Sequence, residues 1–409
     1  MRIAHVTDVF LPRLGGIEMQ VHDLALRQQE AGHDVTVFTS QPDEGMTDDV
    51  LRTVRLPRRA GWISPSGLRD AGPAILRQEP EVVHAHTSLV SPLAWQAARA
   101  VSAAGLPTVM TMHSLCKVPT PILRMKAPIA GWTDLPVQWT AVSTVAAQAV
   151  NRMLPGHDVI TLPNGIDPSL WRVGARPTNP QRLQIVSVMR LAPRKRPVHL
   201  LRILAEIRRR VPAAIELRAV IIGTGPEQAA MERFLDRHRM RDWVELAGRC
   251  DRETIRRVHA ESDVYLAPAT LESFGIAALE ARCASVPVVA MKVGGVGEFV
   301  EHGREGLLVG SDTEMAEATA DLLMAPERLQ AMREHNRLTE STTNWNRVLE
   351  LTAGAYHRAG VPDTIDLRST VLTDTVGPAL APLATAPLAT APAAPASVRR
   401  FVHPGTREG

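Results

Sequence analysis

Residues 267–309 read APATLESFGIAALEARCASVPVVAMKVGGVGEFVEHGREGLLV, and the fold class follows from them. Just upstream, Asp263 to Ala267 is a short apolar run that reads as a buried strand ending at Pro268. After a polar turn, Phe274-Gly275 opens an amphipathic helix with Ile276, Leu279 and Cys283 on one face, and Pro287 to Ala290 is the next strand. Strand, loop, helix and strand make one βαβ unit, whose ligands belong at the carboxyl ends of the strands. Two carboxylates, Glu272 and Glu280, bracket the helix start, with the amides of Ser273, Phe274, Gly275 and Ile276 between them. Free N–H groups at a helix start attract an anion, and Gly275 lets it approach the backbone closely. A diphosphate on these amides, with a carboxylate for hydroxyls on each side, suits a nucleotide sugar. The alternative is an ordinary surface helix with two solvated glutamates.

Three segments in order carry a family likeness: Glu272-Ser273-Phe274-Gly275 followed by Glu280, the turn Gly294 to Glu298, and Gly303 to Val309. Together they resemble the donor-site signature and the next two landmarks of the retaining glycosyltransferases of family 4. The resemblance implies an α/β protein of the GT-B fold: two Rossmann-like, doubly wound parallel-sheet domains facing across a cleft.

The bulk of the chain agrees. At 409 residues it exceeds one ordinary domain. Hydrophobic content of 45% and charge of 22% are those of a globular protein, and only 4% aromatics leave the cores to Ala, Val, Leu and Ile. Cys116, Cys250 and Cys283 have no metal-ligand spacing, which excludes a cysteine-based zinc site and a disulfide framework and fits a reducing compartment. A net charge of +3, without a recognition motif, gives no reason to expect nucleic acid as a partner. Met1-Arg2-Ile3 enters a strand directly, with no signal peptide or membrane-spanning run, so a cytosolic protein is expected.

Residues 1–171 alternate strands and helices, which argues for a parallel sheet forming the amino-terminal, acceptor-side domain. Gly15-Gly16 follows the first strand without GxGxxG spacing; it is read either as a phosphate loop or as a tight turn needing positive φ. His113 follows the strand Thr108 to Met112, at a carboxyl end. His84 and His86 alternate on one strand, one of them expected to face the sheet's cover, and a metal site there lacks a third ligand. Lys117, Arg124 and Lys126 are interleaved with apolar residues from Leu115 to Trp132, which suits an acceptor, an anionic membrane surface or a packed cover loop. The Asn164-Gly165 turn resembles the family's domain-closing turn, and Arg172 to Pro180 reads as a linker.

The carboxyl-terminal, nucleotide-sugar domain is expected over 181–342. Arg190 and Lys195 lie five residues apart beyond a strand, where two cations can neutralise a diphosphate. Gly223-Thr224-Gly225-Pro226-Glu227 turns a strand into a helix. Met189, Arg196 and Ser285 stand where the family usually has glycine, which puts the local backbone in question. A helix over 343–360 is expected to return to the first domain, and the Ala/Pro-rich stretch 362–409 reads as a disordered tail.

By resemblance, the catalytic residues are His113, Arg190, Lys195 and Glu272. The donor is bound by Gly15, Gly16, Arg190, Lys195, Gly223, Gly225, Glu272, Ser273, Phe274, Gly275, Ile276 and Glu280, with Glu280 on the ribose and Glu272 on the sugar. No metal is implied, because Arg and Lys supply the charge a divalent ion would bring, and no cofactor beyond the co-substrate. The implied activity is retaining transfer of a hexose from GDP-mannose or a UDP-sugar to a lipid, glycan or small-molecule hydroxyl. A sugar phosphorylase, a UDP-sugar epimerase and a non-catalytic nucleotide-sugar-binding partner protein are the alternatives. Peripheral contact with an anionic membrane at its inner face stays open.

Overall fold

The computed structural model describes residues 1–362 apart from 14, 44–49, 60–61, 89, 116–119, 130 and 176–178. Cys116, Lys117, the side chain of Lys126 and the Ala/Pro-rich stretch from 363 therefore lie outside the described residues.

In the amino-terminal half the order is β1 (Arg2–Thr7), α1 (Gly16–Glu30), β2 (Asp34–Thr39), β3 (Arg52–Arg55), β4 (Arg58–Arg59), β5 (Trp62–Ile63), α2 (Pro65–Leu76), β6 (Val82–Thr87), α3 (Pro92–Ala103), β7 (Thr108–Met112), α4 (Thr120–Ile129), β8 (Gln138–Ala141), α5 (Thr144–Met153) and β9 (Ile160–Thr161). β4 and β5 form a separate antiparallel ribbon. The other strands form one parallel sheet in the order β3-β2-β1-β6-β7-β8-β9. The connecting helix α6 (Pro168–Trp171) follows.

The second half runs β10 (Arg182–Val188), α7 (Pro197–Arg210), β11 (Glu216–Ile222), α8 (Gln228–Arg237), β12 (Val244–Gly248), α9 (Arg252–Glu261), β13 (Val264–Ala267), α10 (Ile276–Cys283), β14 (Val288–Met291), β15 (Gly306–Val309), α11 (Asp312–Leu323), α12 (Pro326–Leu338) and α13 (Trp345–Arg358). Its parallel sheet has the order β12-β11-β10-β13-β14-β15. In both sheets the chain works outward from a central strand on one side and then on the other. A crevice opens where that direction reverses, at β1/β6 and at β10/β13, and ligands of open α/β sheets bind there.

Local chemistry fixes the elements. Ser64, Ser143, Asp251, Ser311 and Asn344 each accept a backbone N–H from the first turn of the helix they open. Strands buried on both faces read as continuous apolar runs; β14 is wholly buried, and so is β6, although β6 carries His84 and His86. α13 packs against α1, β7 and β8. Its Trp345 lies over Gly165, where a Cβ would come within 2.4 Å of the indole, and Gln20 bonds both backbone groups of Gly165 at 2.8 Å. The Asn-Gly turn needs glycine for that close approach.

Candidate active site

Arg190, Lys195 and Glu272 lie in loops leaving the second switch point and Gly15-Gly16 in the loop after β1, whereas His113 follows β7 and the Gly223 loop follows β11. β10 delivers Arg190, which is exposed, and a 3₁₀ turn over Pro193–Lys195 then presents Lys195. Lys195 Nζ pairs with Glu272 Oε2 from the loop after β13, with both side chains mostly covered. The Gly223-to-Glu227 loop is laid against the loop after β10: Leu191 N donates to Thr224 O at 2.9 Å and Glu227 N to Leu191 O at 2.9 Å. A Cβ at Gly223 would sit 1.9 Å from Met189 O, and one at Gly225 2.4 Å from Leu191 O. These glycines let two strand-end loops touch.

At the head of α10, Gly275 adopts φ +100°, a conformation other residues rarely hold. Phe274 is buried against Phe299, so it anchors the loop. Gly295 N donates to Glu272 O at 2.8 Å, and a Cβ at Gly295 would fall 2.2 Å from Ser273 O. The backbone N–H groups of Ser273, Phe274 and Gly275 have no acceptor among the described residues. A helix start with unmet donors thus meets a cation on a carboxylate, and the loop that carries the cation also carries the exposed Arg190. Glu280, on α10, is half-buried. Burial pushes its carboxyl up to about 8 against the pull of Arg252, and Asp23 adds to the rise.

The first sheet closes on this site. Gly16 is one carbon contact from Ile276, at 3.6 Å from an added Cβ, so the two predicted residues meet. Leu115 N donates to Ser273 Oγ at 2.9 Å, Arg252 pairs with Asp23 at 2.8 Å, and Glu298 accepts from Thr144 N at 2.8 Å. Gly15 is extended, with φ −172°, which overturns the tight-turn reading that needed positive φ. The space a side chain would need there holds the Glu18 carboxylate, 2.5 Å from an added Cβ. Sequence reasoning missed Glu18; the available signal was an acid in the first turn of a helix that follows a glycine pair. Glu18 pairs with Arg13 at 2.9 Å. Burial raises its pKa, while its own backbone N–H and then the fields of Arg13, Arg190 and Arg194 draw it down.

His113 is half-buried at the end of β7, its N–H donating to Thr87 O at 2.8 Å. Behind it the histidine expectation needs correction. Residues two apart on a strand share a face, so His84 and His86 both lie under α1 and α13, and His5 of β1 joins them as a third imidazole. The third ligand said to be lacking is present. All six ring nitrogens nevertheless already have partners: His5 bonds His86 and Gln28, His84 bonds Tyr356 and Thr111, and His86 bonds His5 and His113. Met189 has no positive φ, but Arg196 and Ser285 do, at +60° and +63°. Arg196 offsets that backbone cost with a bidentate pair to Asp312 at 2.9 and 2.7 Å and a bond to Pro268 O at 2.9 Å. A broad recess around Arg218 and Trp243 lies at the amino ends of β11 and β12, away from this constellation.

No helix among the described residues is long and apolar enough to cross a membrane. Residues 14–170 match the family model described as Glycosyltransferase Family 4, and residues 174–339 that of the Glycosyl transferases group 1. One component of the human phosphatidylinositol N-acetylglucosaminyltransferase is 26% identical over 407 residues, covering 92% of this chain and 80% of its own. The GDP-mannose-dependent alpha-(1-6)-phosphatidylinositol monomannoside mannosyltransferase of Mycobacterium tuberculosis is 29% identical over 370 residues, covering 81% and 91%. Anabaena HepE, solved with UDP-glucose, shares the fold at a TM-score of 0.66 and 19% identity, over 82% of this chain and 93% of that one. Two parallel-sheet domains, a helix start with unmet amides at the second switch point and family matches across both halves lead to one conclusion: the chain belongs to the family-4 glycosyltransferases of the GT-B fold.

Proposed function

We propose that the protein transfers a hexose, with retention of anomeric configuration, from GDP-mannose or a UDP-sugar to a hydroxyl on an inositol-bearing phospholipid. The observation that carries the reading is the pairing of Lys195 with Glu272 beside the unmet amides of Ser273 to Gly275. Arg190, Lys195 and those amides hold the diphosphate, where charge-assisted hydrogen bonds are strongest. Glu280 takes the ribose hydroxyls, Glu272 the sugar hydroxyls, and His113 stands at the sugar from the opposite sheet. The acceptor oxygen attacks the anomeric carbon on the face the phosphate leaves. The carbon–phosphate-oxygen bond breaks, the new glycosidic bond forms, and the acceptor's proton passes to the departing phosphate oxygen. Developing negative charge on that phosphate is met by Arg190 and Lys195.

The inositol-bearing acceptor is supported by the names of the human and mycobacterial relatives. A lipid acceptor also suits α4, which exposes Ile122 and Met125 beside Arg124 and begins seven residues after His113 in the chain. The test incubates the full chain with GDP-mannose or UDP-glucose and vesicles containing phosphatidylinositol, then reads the product anomer by proton NMR. Retained configuration is expected. An inverted product overturns the mechanism, and turnover that needs inorganic phosphate instead of nucleotide overturns the donor class.

A further inference from the structure

The buried imidazoles of the first sheet are connected to the site through one side chain. His5 and His84 are wholly buried and His86 nearly so, under Gln28 of α1 and Tyr356 of α13. Gln28 Oε1 can only accept, so His5 Nε2 carries the proton in their 2.7 Å bond. A neutral imidazole has one N–H, which leaves His5 Nδ1 bare to accept from His86 Nε2–H at 2.9 Å. By the same step His86 Nδ1 is bare and accepts from His113 Nε2–H at 3.0 Å. The sense of the Gln28 amide is set at the far end of the network. Thr140 Oγ1 donates to Met110 O at 3.5 Å, so Thr111 Oγ1 donates to Thr140 Oγ1 and accepts from His84 Nε2–H, which leaves the Tyr356 hydroxyl to donate to His84 and to accept from Gln28 Nε2 at 2.9 Å. The Tyr356 hydroxyl is then free to donate to His84 Nδ1 at 3.1 Å, and His84 Nε2–H to Thr111 Oγ1 at 2.7 Å. One proton arrangement satisfies every bond.

We propose that Gln28, His5 and His86 are positioning residues that hold His113 as its Nε2–H tautomer, so that its bare Nδ1 accepts a hydrogen bond from a hydroxyl of the transferred sugar. The proposal rests on the placement of His113 at the sugar given above. Burial supports it by holding His5 and His113 near 4, so that both stay neutral at physiological pH. The cluster is thereby distinguished from a metal site, since a metal ion would need the nitrogens that the relay uses. It is also distinguished from a proton conduit, because the chain ends on an amide oxygen that cannot carry a proton onward.

The experiment reads the tautomers directly. Two-bond proton–nitrogen correlation spectra of the full chain, with histidine labelled in nitrogen-15 and His113→Gln for assignment, should show neutral Nε2–H forms for His5, His84, His86 and His113 at pH 7. A protonated Nδ1 on His113, an exchanging tautomer mixture, or a stoichiometric metal ion on the cluster would overturn the relay. Kinetics on GDP-mannose and UDP-glucose supply the second arm. His86→Phe should lower kcat by about 10–100-fold, the effect of removing an outer partner that orients a functional imidazole, with donor KM near wild type. His86→Gln, which can both accept and donate, should recover most of that loss; equal loss in both variants overturns the proposal. If neither nucleotide sugar is turned over, the transferase reading fails, and the spectra still decide the relay.

Discussion

Replacing Ser285 by glycine should stabilise this protein, although serine there is natural. Ser285 is the residue just past the cap of α10: its N–H donates to Arg282 O and that of Val286 to Ala281 O, both at 2.9 Å. That bonding pattern requires a left-handed residue, normally glycine, and Ser285 complies at φ +63°. The backbone conformation costs about 1–2 kcal/mol for a residue with a Cβ. The Ser285 hydroxyl is buried with no partner among the described residues, a further cost of about 1–3 kcal/mol. Glycine removes both terms, while the freer unfolded chain it brings takes back about 0.4–1 kcal/mol, so Ser285→Gly should gain roughly 2 kcal/mol. Ser285→Ala isolates the hydroxyl, because it keeps the strained backbone. Urea unfolding should rank the variants Gly above Ala above wild type, with an unchanged slope against denaturant. Glycine no better than alanine would refute the strain argument, and both no better than serine would refute the hydroxyl term as well. Donor turnover should be unaffected, since the change lies at the far end of the helix from Gly275.

Three further outcomes are expected. Arg190→Ala should lose about 10²–10³-fold in turnover, as when one donor to a developing negative charge is removed, without loss of thermal stability; near-normal turnover would sink the diphosphate assignment. Glu280 has a folded pKa raised to about 8, so the folded state binds the extra proton and stability should fall as pH rises from the ordinary carboxylate range to about 8. UDP binding at pH 7 should then release a proton as the carboxylate forms on the ribose, read by calorimetry in buffers of different ionisation heat, and absence of release would refute the ribose role. Arg124→Glu should weaken sedimentation with anionic vesicles by about 1 kcal/mol or more, whereas wild-type protein that stays in the supernatant at low salt would remove the membrane contact.

The alternation of strands and helices, the glycine loops at strand ends and the spacing of Glu272 and Glu280 were legible in the chain before any packing was known. These are local properties: periodicity, turn chemistry and helix starts are written within a few residues of each other. Arg190 and Lys195 were legible for the same reason, because cations just beyond a strand end are read from adjacent positions. Other features depend on how the chain packs. Gln28 meets Tyr356 across 328 residues and His5 meets His86 across 81, contacts that exist because β1 lies beside β6 and α13 comes back over α1. The Glu18 carboxylate has its environment from Arg13 on its own loop and from Arg190 and Arg194 on the other sheet. The family pattern put the backbone at Met189, Arg196 and Ser285 in question, but only the packed structure decided that Arg196 and Ser285 are left-handed and Met189 is not, since φ is set by what the neighbouring loop and strand require of the backbone. Spacing along a chain fixes which groups can share an element; sheet order and packing fix which elements share a site.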